Sequence, residues 1–100
     1  MDCKVIWTDP SIEDLHEIVS YISVSDSEAA RRVGLDIIRT VELLQDFPLL
    51  GPAYPPGSSG CIREILSWGY RIFYRVTAEK RLVEVLRIWH GARNEPQLRG

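Results

Sequence analysis

Apolar positions recur at different spacings along this chain, and each spacing predicts an element. Residues 3–7, CKVIW, combine β-branched and aromatic side chains ahead of a Thr-Asp-Pro breaker, which predicts a short first strand. Asp9 can then cap a helix, with Pro10 at the first helical position, where its missing N–H costs nothing. Ile12, Leu15, Ile18 or Val19, and Ile22 follow at helical intervals and form one apolar stripe. Ser25 and Glu28 have capping-box spacing, so a second helix should begin near Asp26. Its stripe is Ala30, Val33, Ile37, Val41 and Leu44, with Gly34 and Ile38 beside it. Two amphipathic helices joined by so short a turn predict an antiparallel hairpin. Small Ala29, Ala30 and Gly34 either let the first helix approach closely or are merely tolerated.

The helical period stops at "FPLLGPAYPPGSSG", which holds four of the six prolines and three of the seven glycines and therefore reads as a loop. Three strands follow it, at 61–66, 70–76 and 81–89, with connections short enough for hairpins. In the middle strand Tyr70, Ile72, Tyr74 and Val76 point one way, and Arg71, Phe73 and Arg75 the other. One face of this meander should pack on helices while the other is partly basic. In the last strand Leu82, Leu86 and Ile88 fall on one face, and Val83, Val85 and Trp89 on the other. Apolar on both sides, it belongs inside the sheet, between the meander and a first strand returned beside it by the helical hairpin. The predicted fold class is α+β: strand, antiparallel two-helix hairpin, then three-stranded antiparallel meander (βααβββ), with the helices on one face of the sheet.

One hundred residues suit a single domain spanning 1–100 with a flexible tail from about 94, and a core of that size needs no disulfide or metal. Cys3 and Cys61 are too few for a disulfide scaffold and form no zinc spacing with His16 and His90, so they read as reduced, packed thiols. No apolar run approaches the roughly 18 residues of a membrane span, so a cytoplasmic protein with no membrane partner is expected. Charge changes the picture more than composition does. Residues 1–60 carry four Lys or Arg against ten Asp or Glu, a balance of −6, whereas residues 61–100 carry eight against four, a balance of +4. An anionic target or an acidic partner would be drawn to the C-terminal half.

No Gly-rich phosphate loop, paired-cysteine motif or serine nucleophile elbow is present, and neither cofactor nor metal is expected. The candidate residues are basic and aromatic: Arg63, Arg71, Arg75, Arg87, His90 and Arg93. Arg71, Phe73 and Arg75 share a face; either two arginines solvate a sheet, the reading physics favours, or they meet phosphates around a stacked base. His90 either hydrogen-bonds at a strand end or serves as general acid or base, since histidine titrates near neutrality. Gly91 and Ala92 permit a sharp departure, from which Arg93 can project.

The order of "VIWTDPSIEDLHEIVSYI", "AARRV", "FPLLG", "REILSWGYRIFYRV" and "VEVLRIWHGAR" resembles the RelE/ParE superfamily of toxins from type II toxin-antitoxin (plasmid stabilisation) modules, over about residues 3–96. The resemblance implies a toxin neutralised by a cognate antitoxin in a hetero-oligomer, with operator DNA reached only through the antitoxin. It also implies one of two actions. RelE-like members cleave messenger RNA on the ribosome, for which Arg63 and His90 would be the catalytic candidates. ParE-like members are not nucleases and poison DNA gyrase by protein contact, for which Arg71, Arg75, Arg87 and Arg93 would bind the target. Loop 48–60 lacks the lysines of the nuclease members, and the helical hairpin with the HGAR ending looks more like the ParE branch. Gyrase inhibition, with no enzyme activity, is therefore the expected function. Ribosome-dependent endoribonuclease activity is the alternative, and an inactive antitoxin-binding module a further one.

Overall fold

A computed structural model describes residues 2–90. Strand β1 (Lys4–Trp7) leads into helices α1 (Asp9–Ser23) and α2 (Ser27–Leu43), followed by strands β2 (Ile62–Ser67), β3 (Tyr70–Thr77) and β4 (Leu82–His90). The four strands form one sheet in the order β1-β4-β3-β2. β4 is interior, as its two apolar faces predict, pairing parallel with β1 and antiparallel with β3. The sheet is thus mixed, with the predicted antiparallel meander making up three of its strands.

Both helices lie on one face. Val33, Ile37 and Val41 of α2 pack on Ile72, Val85 and Ile88 of the sheet, with Leu15, Ile18 and Ile22 of α1 closing the cluster. Burying each such side chain contributes roughly 1.5–3 kcal/mol, which holds the hairpin on the sheet. The helices are close because Gly34 has no side chain: a Cβ there would lie 3.0 Å from Val19 Cγ2. Ser11 is fully buried and Ile12 is exposed, so the α1 stripe begins one residue earlier than the apolar pattern predicts. Cys3 is buried, but Cys61 is exposed rather than packed.

The helix caps also differ from the sequence expectation. Thr8, not Asp9, caps α1, its hydroxyl accepting from the Ser11 amide at 3.4 Å while donating to the Val85 carbonyl at 2.6 Å. The second bond explains the choice, because Thr8 stands where β1 leaves β4 and can satisfy a strand carbonyl as well as a helix amide. Asp26, not Ser25, caps α2 by accepting from the Ala29 amide at 3.0 Å.

Strict alternation fails once in β4. Phe73 pairs with Arg87 and Tyr74 with Val85, which leaves Leu86 as the extra residue of a β-bulge. Val85 and Ile88, predicted on opposite faces, therefore both enter the helix-side core. Beyond Trp7, whose partner is Val85, β1 no longer covers the edge of β4, and α1 runs beside that edge instead. There Asp14 takes the place of a neighbouring strand by accepting the Ile88 amide at 2.9 Å.

The Pro- and Gly-rich segment folds back on β2. Ala53 forms an isolated bridge with Arg63, flanked by hydrogen bonds from Tyr54 N to the Ile62 carbonyl and from Glu64 N to the Pro52 carbonyl. A few of its residues are therefore paired where the sequence predicts loop throughout. Gly51 is buried between this segment and the sheet, and a Cβ there would overlap the Glu64 carbonyl.

Candidate functional site

Between α1 and the C-terminal end of the sheet, beyond the bulge of β4, lies a groove of about 620 Å³. Asp14, Glu17, Ile18 and Tyr21 line one wall at helical spacing, so a single face of α1 supplies them all. Tyr70 of β3 and residues 87–90 of β4 line the other. The Tyr70 and His90 rings meet edge to face with centroids 5.4 Å apart, as expected for residues paired across two strands.

Arg87 is fixed in this groove by a fork. Its Nε donates to Asp14 Oδ2 at 2.7 Å and its Nη2 to Oδ1 at 3.0 Å, while its guanidinium lies 5.0 Å from the centre of the Trp89 ring. The Asp14 hydrogen bond, aided by the charges of Asp14, Glu17 and Glu13, raises the Arg87 pKa against the opposing effect of burial. Asp14, which suits the acidic start of a helix but is marked as a site residue by no motif, thus holds both an arginine and a strand amide. Its place on the α1 face opposite the β4 edge is a tertiary fact with no local signal.

The remaining candidates lie elsewhere. Arg63 Nη1 donates to the Gly51 carbonyl at 2.8 Å, and its Nε is buried without a hydrogen-bond partner. Its neighbour Tyr74 accepts from the Gly51 amide at 2.9 Å. Burial raises the Tyr74 pKa, against the hydrogen bond from Gly51 and the charge of Arg63, which both lower it. Arg63 is thus a clamp on the 47–61 segment. Arg63 pairs with Tyr74 and His90 with Tyr70, at positions four residues apart on β3. With two inter-strand steps between them, their Cα atoms are roughly 16 Å apart.

The outer face of the sheet is not the basic surface the alternation predicts. Arg71 is ion-paired with Glu64, and Arg75 with Glu84 at 3.7 Å, so each guanidinium meets a carboxylate from an adjacent strand. Phe73 is fully buried beneath Tyr54, at 4.9 Å between ring centroids, and Arg71, whose guanidinium lies 4.9 Å from the Phe73 ring centre. It therefore has no face to offer a base. Trp68, at the tip of the β2–β3 hairpin, is 55% exposed and anchored by a hydrogen bond from its indole to Asp36 Oδ2 at 2.7 Å. Arg93 lies outside the described residues, as do Gly91, Ala92 and the expected tail. Among the described residues no group of three His, Cys, Asp or Glu side chains could hold a metal ion, and no helix is long and apolar enough to cross a membrane.

Residues 5–95 match the family model described as "ParE toxin of type II toxin-antitoxin system, parDE". The chain belongs to the ParE toxin family. It is 32% identical over 97 residues to the curated "Putative toxin Y4kP" of Sinorhizobium fredii (strain NBRC 101917 / NGR234), with 95% of each chain covered. Two solved structures share the ParE fold. The chromosomal ParDE toxin-antitoxin system from P. aeruginosa matches with a TM-score of 0.73 at 24% identity, over 88% of this chain and 95% of that one. The toxin-antitoxin complex RelBE2 from Mycobacterium tuberculosis matches with a TM-score of 0.68 at 21% identity, over 90% of this chain and 99% of that one. This ParE-family chain is accordingly a toxin of a type II toxin-antitoxin system.

Proposed function

We propose that this toxin arrests growth by poisoning DNA gyrase through protein contact and is held inactive by a cognate antitoxin. The observation that supports this reading most is the fate of the arginines. Cleaving RNA by attack of a 2′-oxygen on phosphorus requires cations gathered around one phosphate. In this chain Arg63 is committed to Gly51, Arg71 to Glu64, Arg75 to Glu84 and Arg87 to Asp14, and they are spread over both faces of the sheet. The Arg63 and His90 pair that a nuclease would use is separated by most of the sheet's width. The α1 groove adds Glu17 to Asp14, which disfavours a phosphodiester.

Arg71, Arg75, Arg87 and Arg93 remain the residues assigned to target contact, the first three through the solvent-facing edges of guanidinium groups that Glu64, Glu84 and Asp14 orient. The site of action is cytoplasmic, the whole chain 1–100 is one toxin domain, and operator DNA is reached only through the antitoxin.

A second reading has one observation in its favour: Tyr70, Arg87 and His90 do share a groove, as the acid, base and cation of a ribosome-dependent endoribonuclease would. His90→Ala separates the two. Expressed without antitoxin, that variant should still arrest growth, and toeprints on translating ribosomes should lack A-site cuts for both proteins. Loss of toxicity on His90→Ala together with A-site cuts by the parent protein would reverse the assignment. Unimpaired growth on expression of the parent would instead support an inactive antitoxin-binding module.

A further inference from the structure

The charge inside the α1 groove is opposite to that of the C-terminal half of the chain. Arg87 is charge-balanced by Asp14, whose Oδ2 also accepts the Ile88 amide, so the pair adds no net charge to the groove. Glu17, one turn along the same helix face, is exposed and makes no ion pair among the described residues. Among the described residues the groove therefore has one carboxylate more than it has guanidinium groups. Its walls are aromatic, with Tyr21, 80% exposed, on α1 and with Tyr70 and Trp89 on the sheet, over a floor that includes Ile18 and Ile88.

A carboxylate flanked by aromatic rings is suited to a guanidinium, which can stack on a ring while its edge donates to the oxygens. The groove already handles one such group in this way, since Arg87 lies over Trp89 while forking onto Asp14. At about 620 Å³ the groove has room for another side chain. We propose that the groove receives an arginine side chain presented by the antitoxin segment, with Glu17 as its carboxylate partner and Tyr21 and Tyr70 as its walls. An acidic side chain would find Glu17 in its path and the Arg87 charge already balanced by Asp14. A lysine ammonium is more strongly hydrated and lacks the plane that stacks. The assignment of the arginine to the antitoxin rests on the toxin-antitoxin reading, but the chemistry of the groove can be tested without it.

The test is an NMR titration of the isotope-labelled full chain with Nα-acetyl-arginine amide, its uncharged counterpart Nα-acetyl-citrulline amide, and Nα-acetyl-glutamate amide. The arginine probe should saturate shifts of the Trp89 indole and of the Glu17, Tyr21 and Tyr70 amides, with a dissociation constant on the order of 10 mM. The citrulline probe should bind about five- to tenfold more weakly. Glu17→Gln, an exposed change that leaves the other groove residues in place, should weaken the arginine probe about three- to fivefold while amide dispersion stays native. Equal response to arginine and citrulline, saturation of the same signals by the glutamate probe, or an unchanged response in E17Q would each overturn the proposal. A toxin that leaves gyrase untouched would defeat the gyrase reading but not these shifts, so the two failures are distinguishable.

Discussion

Replacing Asp14 with alanine removes three hydrogen bonds at once, two from Arg87 and one from the Ile88 amide. The Asp14 side chain is 11% exposed, whereas Arg87 is 32% exposed and can regain water when its partner is lost. That exposure reduces the ion pair to about 1 kcal/mol. The Ile88 amide has no adjacent strand to turn to, and leaving it short of an acceptor costs about 1–2 kcal/mol. The expected loss is therefore about 2–3 kcal/mol, or a fall of roughly 10–20 °C in melting temperature for a domain of this size. Urea unfolding followed by far-UV circular dichroism should show the midpoint falling with no change in slope, the signature of lost stability rather than altered compactness. Asp14→Asn keeps an oxygen for the amide and gives up the charge, so it should lose only about 1 kcal/mol. The reasoning is refuted if Asp14→Ala unfolds within about 0.5 kcal/mol of the parent, the range of an ordinary surface change. It is equally refuted if Asp14→Asn is as damaging as Asp14→Ala, since the amide bond would then contribute nothing.

Other consequences follow from the 47–61 segment. Gly51→Ala should cost about 1–3 kcal/mol, because the new methyl must displace the Glu64 backbone. Gly57→Ala, in open space but at φ +84°, should cost less, and equal urea midpoints for the two would count against the close approach at Gly51. Tyr74 supplies a pH dependence. The unfolded chain releases its phenolic proton near pH 10, whereas burial raises the folded value above that. The contribution is therefore fully present below about pH 10 and lost as pH rises through the folded value. Comparing urea midpoints at neutral and alkaline pH should show a steeper alkaline loss in the parent than in Tyr74→Phe, and parallel losses would remove Tyr74 as the source.

Much of this architecture was legible in periodicity. The α2 stripe, the interior position of β4 and the return of β1 beside it follow from the spacing of Ala30 to Leu44 and from a last strand apolar on both faces. The site was less legible, for identifiable reasons. Alternation counts residues and cannot see the bulge at Leu86, which carries Ile88 to the helix side. Capping rules rank Asp9 and Ser25 as well as Thr8 and Asp26, and the choice at α1 was made by a carbonyl on a strand 77 residues away. The outer arginines read as basic because Glu64 and Glu84 face them only once strand register is fixed. The sequence showed His90 at the end of a strand, but the wall opposite it comes from α1, whose Asp14, Glu17 and Tyr21 carry no motif.

The central claim is that this toxin acts by protein contact on gyrase and not by cutting RNA. The most direct measurement adds the purified toxin, freed of antitoxin, to DNA gyrase on relaxed plasmid and, in parallel, to translating ribosomes read by toeprinting. The account predicts loss of supercoiling with accumulation of gyrase-cleaved DNA, reversal by antitoxin, and no A-site cuts. Intact supercoiling alongside A-site cleavage would contradict it.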